Sequence, residues 1–196
     1  MTSLKQTDDE AASELEDVIA RSKEGDLWAF RRLVETYQRY AFTLAFRVVC
    51  DADDARDIVQ EAFLRVWKNI QSFDPAFKFT TWLYRIVVNL SLDQLKKERR
   101  RRRVVMSMPN GPDSSVREEA TPDDSAVNRD LADRIEAVAG GLPVKQRMVF
   151  VLRDLQDFTV SEVAEILEMS PASVKTNLCY ARREIRLTLK RMGVSE

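Results

Sequence analysis

The carboxylates that could do chemistry are concentrated in one short stretch. Asp51, Asp53, Asp54, Asp57 and Glu61 lie close together, and a separation of four residues puts two side chains on one face of a helix. Such oxygens could hold a hard cation for metal-assisted phosphoester hydrolysis. The chain has no histidine, the spacing is not that of a calcium loop, and no other helix offers matching carboxylates. We therefore favour a solvated or partner-facing acidic patch, and expect no catalytic residue, no metal and no cofactor.

A second group of side chains suits DNA. Polar residues begin the last predicted helix and basic residues follow: Ser173, Lys175, Thr176 and Asn177, then Arg182, Arg183, Arg186, Lys190 and Arg191. In a major-groove helix the early side chains reach base edges and the later ones meet phosphates. The alternative is an ordinary helical hairpin with a solvated basic face.

Local signals place this helix second in a helix-turn-helix between Thr159 and Lys190. Thr159 and Glu162 have the spacing of a capping box, in which each side chain satisfies an orphan backbone donor of the other residue. Ser170 is suited to be a second N-cap, and Pro171 follows it where a missing backbone donor costs nothing. The stretch therefore predicts two helices joined by a short break.

An aromatic loop and a basic stripe form a third group. The loop from Ser72 to Thr81, SFDPAFKFTT, holds three phenylalanines; its rings either plug the top of a helical core or offer stacking surfaces to unstacked bases. The helix that follows, from about Trp82 to Arg102, places polar and basic residues within a sector about 80° wide. The members of this stripe are Arg85, Asn89, Lys96, Arg99 and Arg103.

The elements that must position these groups are all helical. Five glycines and six prolines are few, and apolar residues recur at helical spacing. Helices are predicted at about 12–23, 26–49, 53–70, 82–102, 129–139 and 143–154, before the helix-turn-helix. Gly25 should end the first helix. The second should bury a stripe of Leu27, Phe30, Leu33, Val34, Tyr37, Ala41, Leu44, Ala45 and Val48.

Length and charge indicate two small domains. At 196 residues, we predict one domain at 12–103, a second at 129–192, and a flexible, acidic, proline-containing linker at 104–128. The net charge of -1 argues against a protein that coats nucleic acid by itself. Residues 96–103 nevertheless carry seven bases against one acid, so basic surfaces are expected to be masked until a partner arrives.

Neither cysteine usage nor hydropathy adds a function. Cys50 and Cys179 lie in predicted helices without a metal or redox spacing and are interpreted as free thiols. No apolar run approaches the ~20 residues that span a bilayer, and the amino terminus is acidic and polar. We expect a cytoplasmic protein with no membrane insertion of its own.

The order of these features resembles the extracytoplasmic-function group of bacterial sigma factors. Four segments carry the resemblance: DARDIVQEAFLRVWKNI, the aromatic loop before TTWLYRIVVNLSLDQLKK, the acidic tether, and LPVKQRMVFVLRDLQDFTVSEVAEILEMSPASVKTNLCYARREI. It covers about residues 12 to 192. The resemblance implies a promoter-specificity subunit that binds core RNA polymerase, recognises and melts promoter DNA, and is held inactive by an anti-sigma factor.

The resemblance also implies three sets of site residues. The third helix would dock on the largest polymerase subunit through Asp54, Asp57, Gln60, Glu61, Leu64 and Trp67. The proximal promoter element, with a flipped base of the melted non-template strand, would be held by Phe73, Lys78, Phe79, Thr80, Thr81, Trp82, Arg85, Asn89 and Lys96. The distal duplex element would be read by Ser173, Lys175, Thr176, Asn177, Tyr180, Arg182 and Arg183.

Three other functions remain as alternatives. A dimeric helix-turn-helix regulator would need a dimerising helix, and nothing after Lys190 offers one. A metal-assisted phosphohydrolase would rely on the acids between Asp51 and Glu61. A purely structural helical adaptor is the third, and the basic stripe would have no task in the dimeric regulator. Replacing Asp57 and Glu61 by alanine distinguishes polymerase binding from metal-dependent turnover.

Overall fold

The described residues form helices and no strand, as the sequence predicts. The structure, a computed structural model, describes the backbone of residues 2–106 and 134–192 and the side chains of residues 13–101 and 134–192. The all-α fold class is thereby confirmed. Most of the predicted linker, residues 104–128, lies outside the described residues, except that a helix continues through Met106.

Within residues 2–106 the structure describes four α-helices. They are α1 (Thr2–Lys23), α2 (Leu27–Val49), α3 (Ala52–Asn69) and α4 (Phe79–Met106), with a 3-10 turn at Ile70–Ser72 after α3. Gly25 ends the first of them with a φ of 89°. Asp26 then caps α2 by accepting hydrogen bonds from the backbone N–H groups of Trp28 and Ala29. The sequence places the start of α1 ten residues late, because its apolar periodicity begins only at Leu15.

The core of this half is a packing of α2, α3 and α4, with α1 lying against α2. Its fully buried side chains come from the predicted stripes: Leu33, Leu44, Val48, Val66, Leu83 and Val87. One member of the predicted α2 stripe is wrong, since Leu27 is 67% exposed. Leu27 occupies the first turn of α2, where it borders a surface groove between α2 and α3.

The aromatic loop closes one end of this core. Phe73 and Phe79 are buried, with ring centroids 5.7 Å apart, and each also packs against Trp82. Phe77 is 56% exposed. For Phe73 and Phe79 the structure therefore supports the core-plugging alternative, whereas Phe77 leaves its ring available for stacking.

The carboxyl-terminal half contains a helix at residues 134–140 (α5), then α6 (Val144–Phe150), α7 (Val160–Ile166) and α8 (Pro171–Arg191). A π-helical turn at Val151–Leu155 follows α6, so the helix predicted for 143–154 changes its hydrogen-bond register partway. The core joins α6 and α7 to α8, through Val149, Leu152, Val163, Ile166, Val174 and Ala181.

Both predicted caps of the helix-turn-helix are present. Thr159 accepts a hydrogen bond from the backbone N–H of Glu162, and the Glu162 carboxylate accepts one from the backbone N–H of Thr159. Ser170 accepts from the backbone N–H of Ser173, with Pro171 in the first turn. The capping box and the second cap are thus confirmed.

Replacing Thr159 by alanine should destabilise the carboxyl-terminal half by about 1 kcal/mol, because it removes one side of the capping box. Urea unfolding followed by circular dichroism measures the change. Ser161→Ala is the matched control, since exposed Ser161 lies within the same helix and alanine is the better helix former. Equal destabilisation by both substitutions would contradict the capping role.

Candidate functional site

An apolar groove runs between α2 and α3. It has a volume of about 730 Å³ and is lined on the α2 side by Leu27, Phe30, Val34 and Phe42. On the α3 side, Trp67 is half-buried and its ring centroid lies 4.8 Å from that of Phe30. A contiguous exposed apolar surface of this kind is typical of a site for a protein partner.

Five of the six predicted polymerase-binding residues form two groups around this groove. Gln60, Leu64 and Trp67 line it, and Leu64 is 47% exposed. Asp57 is exposed three residues before Gln60, and Glu61 is exposed three residues before Leu64. This spacing places each pair on one face of α3. The exposed face of α3 therefore combines an apolar strip with carboxylates.

Asp54 is placed differently from the other five. It is half-buried and accepts a hydrogen bond of 2.6 Å from Gln94 Nε2 of α4. Desolvation raises the pKa of its carboxyl group, although the bond from Gln94 opposes this shift. Asp54 thus joins α3 to α4 in addition to any contact it makes with a partner.

The sequence interpretation missed the α2 side of the groove. Helical spacing predicts Leu27, Phe30 and Val34 in the buried stripe and makes no prediction for Phe42, because a hydrophobic pattern alone does not distinguish core from groove. One feature of the sequence points to the groove. With Phe42 and Phe46 beside it, the apolar stripe of α2 covers a wider arc of the helix than packing of a single face requires.

The acids near the start of α3 have separate partners. Asp51 caps the helix by accepting from the backbone N–H of Asp54 at 2.8 Å, Asp53 pairs with Arg56, and Glu61 pairs with Arg65 at 2.9 Å. Within the part of the chain that the structure describes, no group of His, Cys, Asp and Glu side chains could hold a metal ion. Each of these three carboxylates is thus bound locally, by a backbone N–H group or by an arginine of the same helix.

The basic stripe lies on the solvent side of α4. Arg85, Asn89, Lys96 and Arg99 are all exposed, and Lys96 pairs with Asp93 of the same helix at 3.1 Å. The side chain of Arg103 lies outside the described side chains. Lys78, in the aromatic loop just before α4, is also exposed.

Three of the predicted proximal-DNA residues are inside the protein. Phe73, Phe79 and Thr81 are 5%, 3% and 4% exposed, while Thr80 and Trp82 are half-buried. In this conformation the buried three shape the loop and do not present a surface. The ring of Phe77, in the same loop, is exposed, and Phe77 is not among the nine residues that the resemblance implies for this site.

Two of the exposed cations already have partners in the other half of the chain. Lys78 Nζ lies 2.7 Å from Glu162 Oε1, and Arg85 is hydrogen-bonded to the carboxylate of Glu168. The bond from Lys78 is the main cause that holds the pKa of Glu162 below its usual range. Both acids belong to the helix-turn-helix, one within α7 and the other just after it.

The first turns of α8 carry the four polar residues that the sequence predicts to read bases, and these differ in exposure. Lys175 and Thr176 are exposed, whereas Asn177 is half-buried and donates a 2.8 Å hydrogen bond to the carbonyl of Ser173. Ser173 is half-buried as well. Of the four residues predicted to read bases, Lys175 and Thr176 are therefore the two with exposed side chains.

The later residues of the distal set are exposed on α8. Tyr180 is 52% exposed, and Arg183 faces solvent. Arg182 makes two hydrogen bonds to Asp154, of 2.7 and 2.6 Å, and the bonding to this carboxylate raises the pKa of its guanidinium. Asp154 thereby fixes the direction in which Arg182 extends.

Cys50 and Cys179 are free and exposed. Among the helices that the structure describes, none is both long enough and apolar enough to cross a bilayer.

Known proteins resemble both halves of the chain. The family described as "Sigma-70 region 2" matches residues 33–101, and the family described as "Sigma-70, region 4" matches residues 132–185. The ECF RNA polymerase sigma factor SigW of Bacillus subtilis is 33% identical over 177 residues, which cover 88% of this chain and 95% of that protein. The ECF RNA polymerase sigma-E factor of Escherichia coli K12 is 29% identical over 86% of this chain and 90% of its own length.

A solved structure has the same fold. It is the sigma factor RpoE in complex with the anti-sigma factor NepR from Bartonella quintana, with a TM-score of 0.67. The match covers 82% of this chain and 96% of that chain at 21% identity. The arrangement of helices is therefore shared with a sigma factor across most of both chains.

Proposed function

This chain belongs to the extracytoplasmic-function (ECF) group of RNA polymerase sigma factors, and we propose that it divides their task among three surfaces. As a member of this group it binds core RNA polymerase, recognises and melts a class of promoters, and initiates transcription. The proposal assigns the groove between α2 and α3 to polymerase, the exposed face of α4 to the proximal promoter element, and the start of α8 to the distal element.

The groove is the observation that carries the assignment to polymerase. It combines large apolar side chains with exposed carboxylates at Asp57 and Glu61. Apolar anchors supply the affinity of a protein interface, whereas the surrounding charges select and orient the partner. We add Leu27, Phe30 and Phe42 of α2 to the predicted residues of α3.

The proximal element is assigned to the exposed residues of the aromatic loop and α4. Lys78, Arg85, Asn89 and Lys96 would hold the backbone of the melted non-template strand, and Phe77 would stack on a base. Phe73, Phe79 and Thr81 would hold the loop in shape from within the core. A flipped base requires unstacking, which costs a few kcal/mol and is offset by these contacts.

The distal element is assigned to the start of α8. Lys175 and Thr176 would reach base edges in the major groove, and Tyr180 and Arg183 would contact phosphates. Asn177 donates one Nδ2 hydrogen to the carbonyl of Ser173, which leaves its second hydrogen and Oδ1 for base contacts. The asparagine side chain favours adenine edges, so the preferred distal sequence should depend less on guanine.

The chain has no catalysis of its own in this proposal, and it acts in the cytoplasm with core polymerase. An anti-sigma factor is the expected regulator, since the RpoE structure of the same fold was determined in complex with one. Such a regulator would compete for the groove, whose apolar surface must be covered by one partner or the other.

Run-off transcription on a promoter library tests the function. Core RNA polymerase with this chain should select templates that share two sequence blocks, and the chain alone should bind the selected duplexes weakly at physiological salt. The weak binding is expected because a net charge of -1 gives little release of counterions. Tight sequence-specific binding by the isolated chain, or no selection with polymerase, would contradict the proposal.

A further inference from the structure

One cation of the distal set is held by an acid from another element. Arg182 of α8 donates from Nε to Asp154 Oδ2 at 2.7 Å and from Nη2 to Oδ1 at 2.6 Å. Two parallel bonds of this kind fix the plane of a guanidinium as well as its distance from the carboxylate. Asp154 is 28 residues away in the chain, so this ion pair is a tertiary contact and not a property of α8 alone.

Arg182 lies at the margin of the reading face, defined as the face of α8 that carries the exposed side chains of Lys175 and Thr176. At 100° per residue it is about 20° from Lys175 around the helix and about 10 Å farther along the axis. The buried residues Val174 and Ile185 follow on its other side. Arg182 is therefore close enough to the core to meet Asp154 and close enough to the reading face to meet DNA.

The π-helical turn at Val151–Leu155 carries Asp154. Hydrogen bonds in a π turn span one residue more than those of an α-helix, so the side chains of this turn are rotated from the positions that a continued α6 would give them. Val151 and Leu152 of the turn are fully buried, and such turns are frequent at functional sites. The turn thus gives Asp154 a fixed base from which to hold Arg182.

The ion pair leaves part of the guanidinium free. It uses Nε and Nη2, and Arg182 Nη1 makes no hydrogen bond to any residue that the structure describes. The Arg182 side chain is 53% exposed, whereas that of Asp154 is 18% exposed. A guanidinium has five N–H donors, so both hydrogens of Nη1 remain for an acceptor such as a phosphate oxygen. Asp154 therefore holds one side of the guanidinium and leaves the other side open.

We propose that Asp154 is a positioning residue for the distal promoter element: it holds Arg182 so that Nη1 meets one backbone phosphate, and this contact sets the register of α8 in the major groove. The inference rests on the proposed function of α8 and adds to it a residue outside that helix. Phosphate contacts fix the register and orientation of a protein on a duplex, although they carry no sequence information themselves. A fixed Arg182 therefore makes base reading by Lys175 and Thr176 more selective.

A simple charge argument predicts a different role for Asp154. A carboxylate beside a DNA-binding helix repels phosphates, so its removal should strengthen binding to every sequence alike. Positioning predicts instead a loss of discrimination between the correct distal element and a scrambled one, because a released Arg182 can reach several phosphates in several rotamers. The ratio of activities on the two elements therefore separates the two roles.

The test replaces Asp154 by asparagine in the full-length chain and measures run-off transcription with core polymerase. Templates carry either the selected distal element or a scrambled one, and all share the same proximal element. We expect Asp154→Asn to lower the ratio of the two rates about tenfold, within the range for residues coupled in one ion-pair network.

Asp157→Asn is the matched control, since it removes the same charge from an exposed residue three positions later. Asp157 has a φ of 57°, which asparagine also tolerates. We expect the control to keep the ratio of the unsubstituted chain. An equal loss in both variants, or an unchanged ratio in Asp154→Asn, would overturn the proposal.

Arg182→Ala tests whether Asp154 acts through Arg182. If it does, the double variant Asp154→Asn with Arg182→Ala should discriminate as Arg182→Ala alone does, because no guanidinium remains to be released. Additive losses from the two substitutions would show that Asp154 acts by another route and would contradict the positioning role.

Neutral methylphosphonates, placed one at a time along the distal element, identify the phosphate. With the unsubstituted chain, one position should lower transcription, and the same position should have no effect with Arg182→Ala. Each comparison is made between templates with the same protein, so partial unfolding of a variant does not imitate the result. A chain that selects a distal element without such a phosphate would overturn this proposal alone, whereas a chain that selects no distal element would overturn the proposed function of α8.

Discussion

Replacing Leu64 by glutamate should weaken binding to core RNA polymerase at least about 30-fold, because the loss of one interface hot spot costs about 2 kcal/mol or more. Leu64 is 47% exposed, so the substitution leaves the helical core intact. It places a charge in an apolar groove that the partner would desolvate, and an unpaired buried charge is strongly unfavourable. Titration of labelled chain with core polymerase, followed by anisotropy, gives the dissociation constant.

Trp28→Glu is the matched control for this substitution. Trp28 is 73% exposed on neighbouring α2 and does not line the groove, so the same kind of change is made outside the proposed interface. We expect its affinity for polymerase to stay near that of the unsubstituted chain. If Trp28→Glu weakens binding while Leu64→Glu does not, the polymerase surface lies elsewhere and the assignment of the groove is wrong.

Replacing Lys175 by alanine should lower transcription from the selected promoters about tenfold and relax the preferred distal sequence, because one base-edge contact supplies about 1–3 kcal/mol of discrimination. Lys175 is exposed in the second turn of α8. The promoter library, repeated with the variant and core polymerase, measures both effects. The proximal block should be unchanged, since α4 is untouched.

Arg191→Ala removes the same charge at the other end of α8, about 24 Å along the helix axis. We expect a small loss that is uniform across templates, as for a general electrostatic contribution. A Lys175→Ala variant whose selected distal block equals that of the unsubstituted chain would show that Lys175 does not read bases. A sequence change in the Arg191→Ala library would show that the reading surface is misplaced.

Much of the fold follows from local rules in the sequence. The capping box of Thr159 and Glu162, the cap at Ser170 and the glycine end of α1 each depend on residues a few positions apart. Interactions at three- and four-residue spacing also determine which face of α4 is basic. Such features are encoded within a single helix, so the surrounding structure does not alter them.

Local rules do not predict which phenylalanines of the aromatic loop are buried, or that α2 and α3 form a groove. Phe73, Phe77 and Phe79 are identical side chains within seven residues, yet two are buried and the third is 56% exposed. Leu27 belongs to the α2 stripe by spacing and is nevertheless at the surface. Burial depends on which helix covers a side chain, and that is set by contacts between residues far apart in the chain.

The sequence by itself determined the all-helical class, the helix-turn-helix, the acidic face of α3 and the basic stripe of α4, because periodicity and capping are local properties. Only the tertiary structure decided that α2 and α3 form an apolar groove and that Lys78 meets Glu162, a residue 84 positions away. Pairing and burial arise when helices pack, and charge or hydropathy in one segment does not specify the side chain it will face.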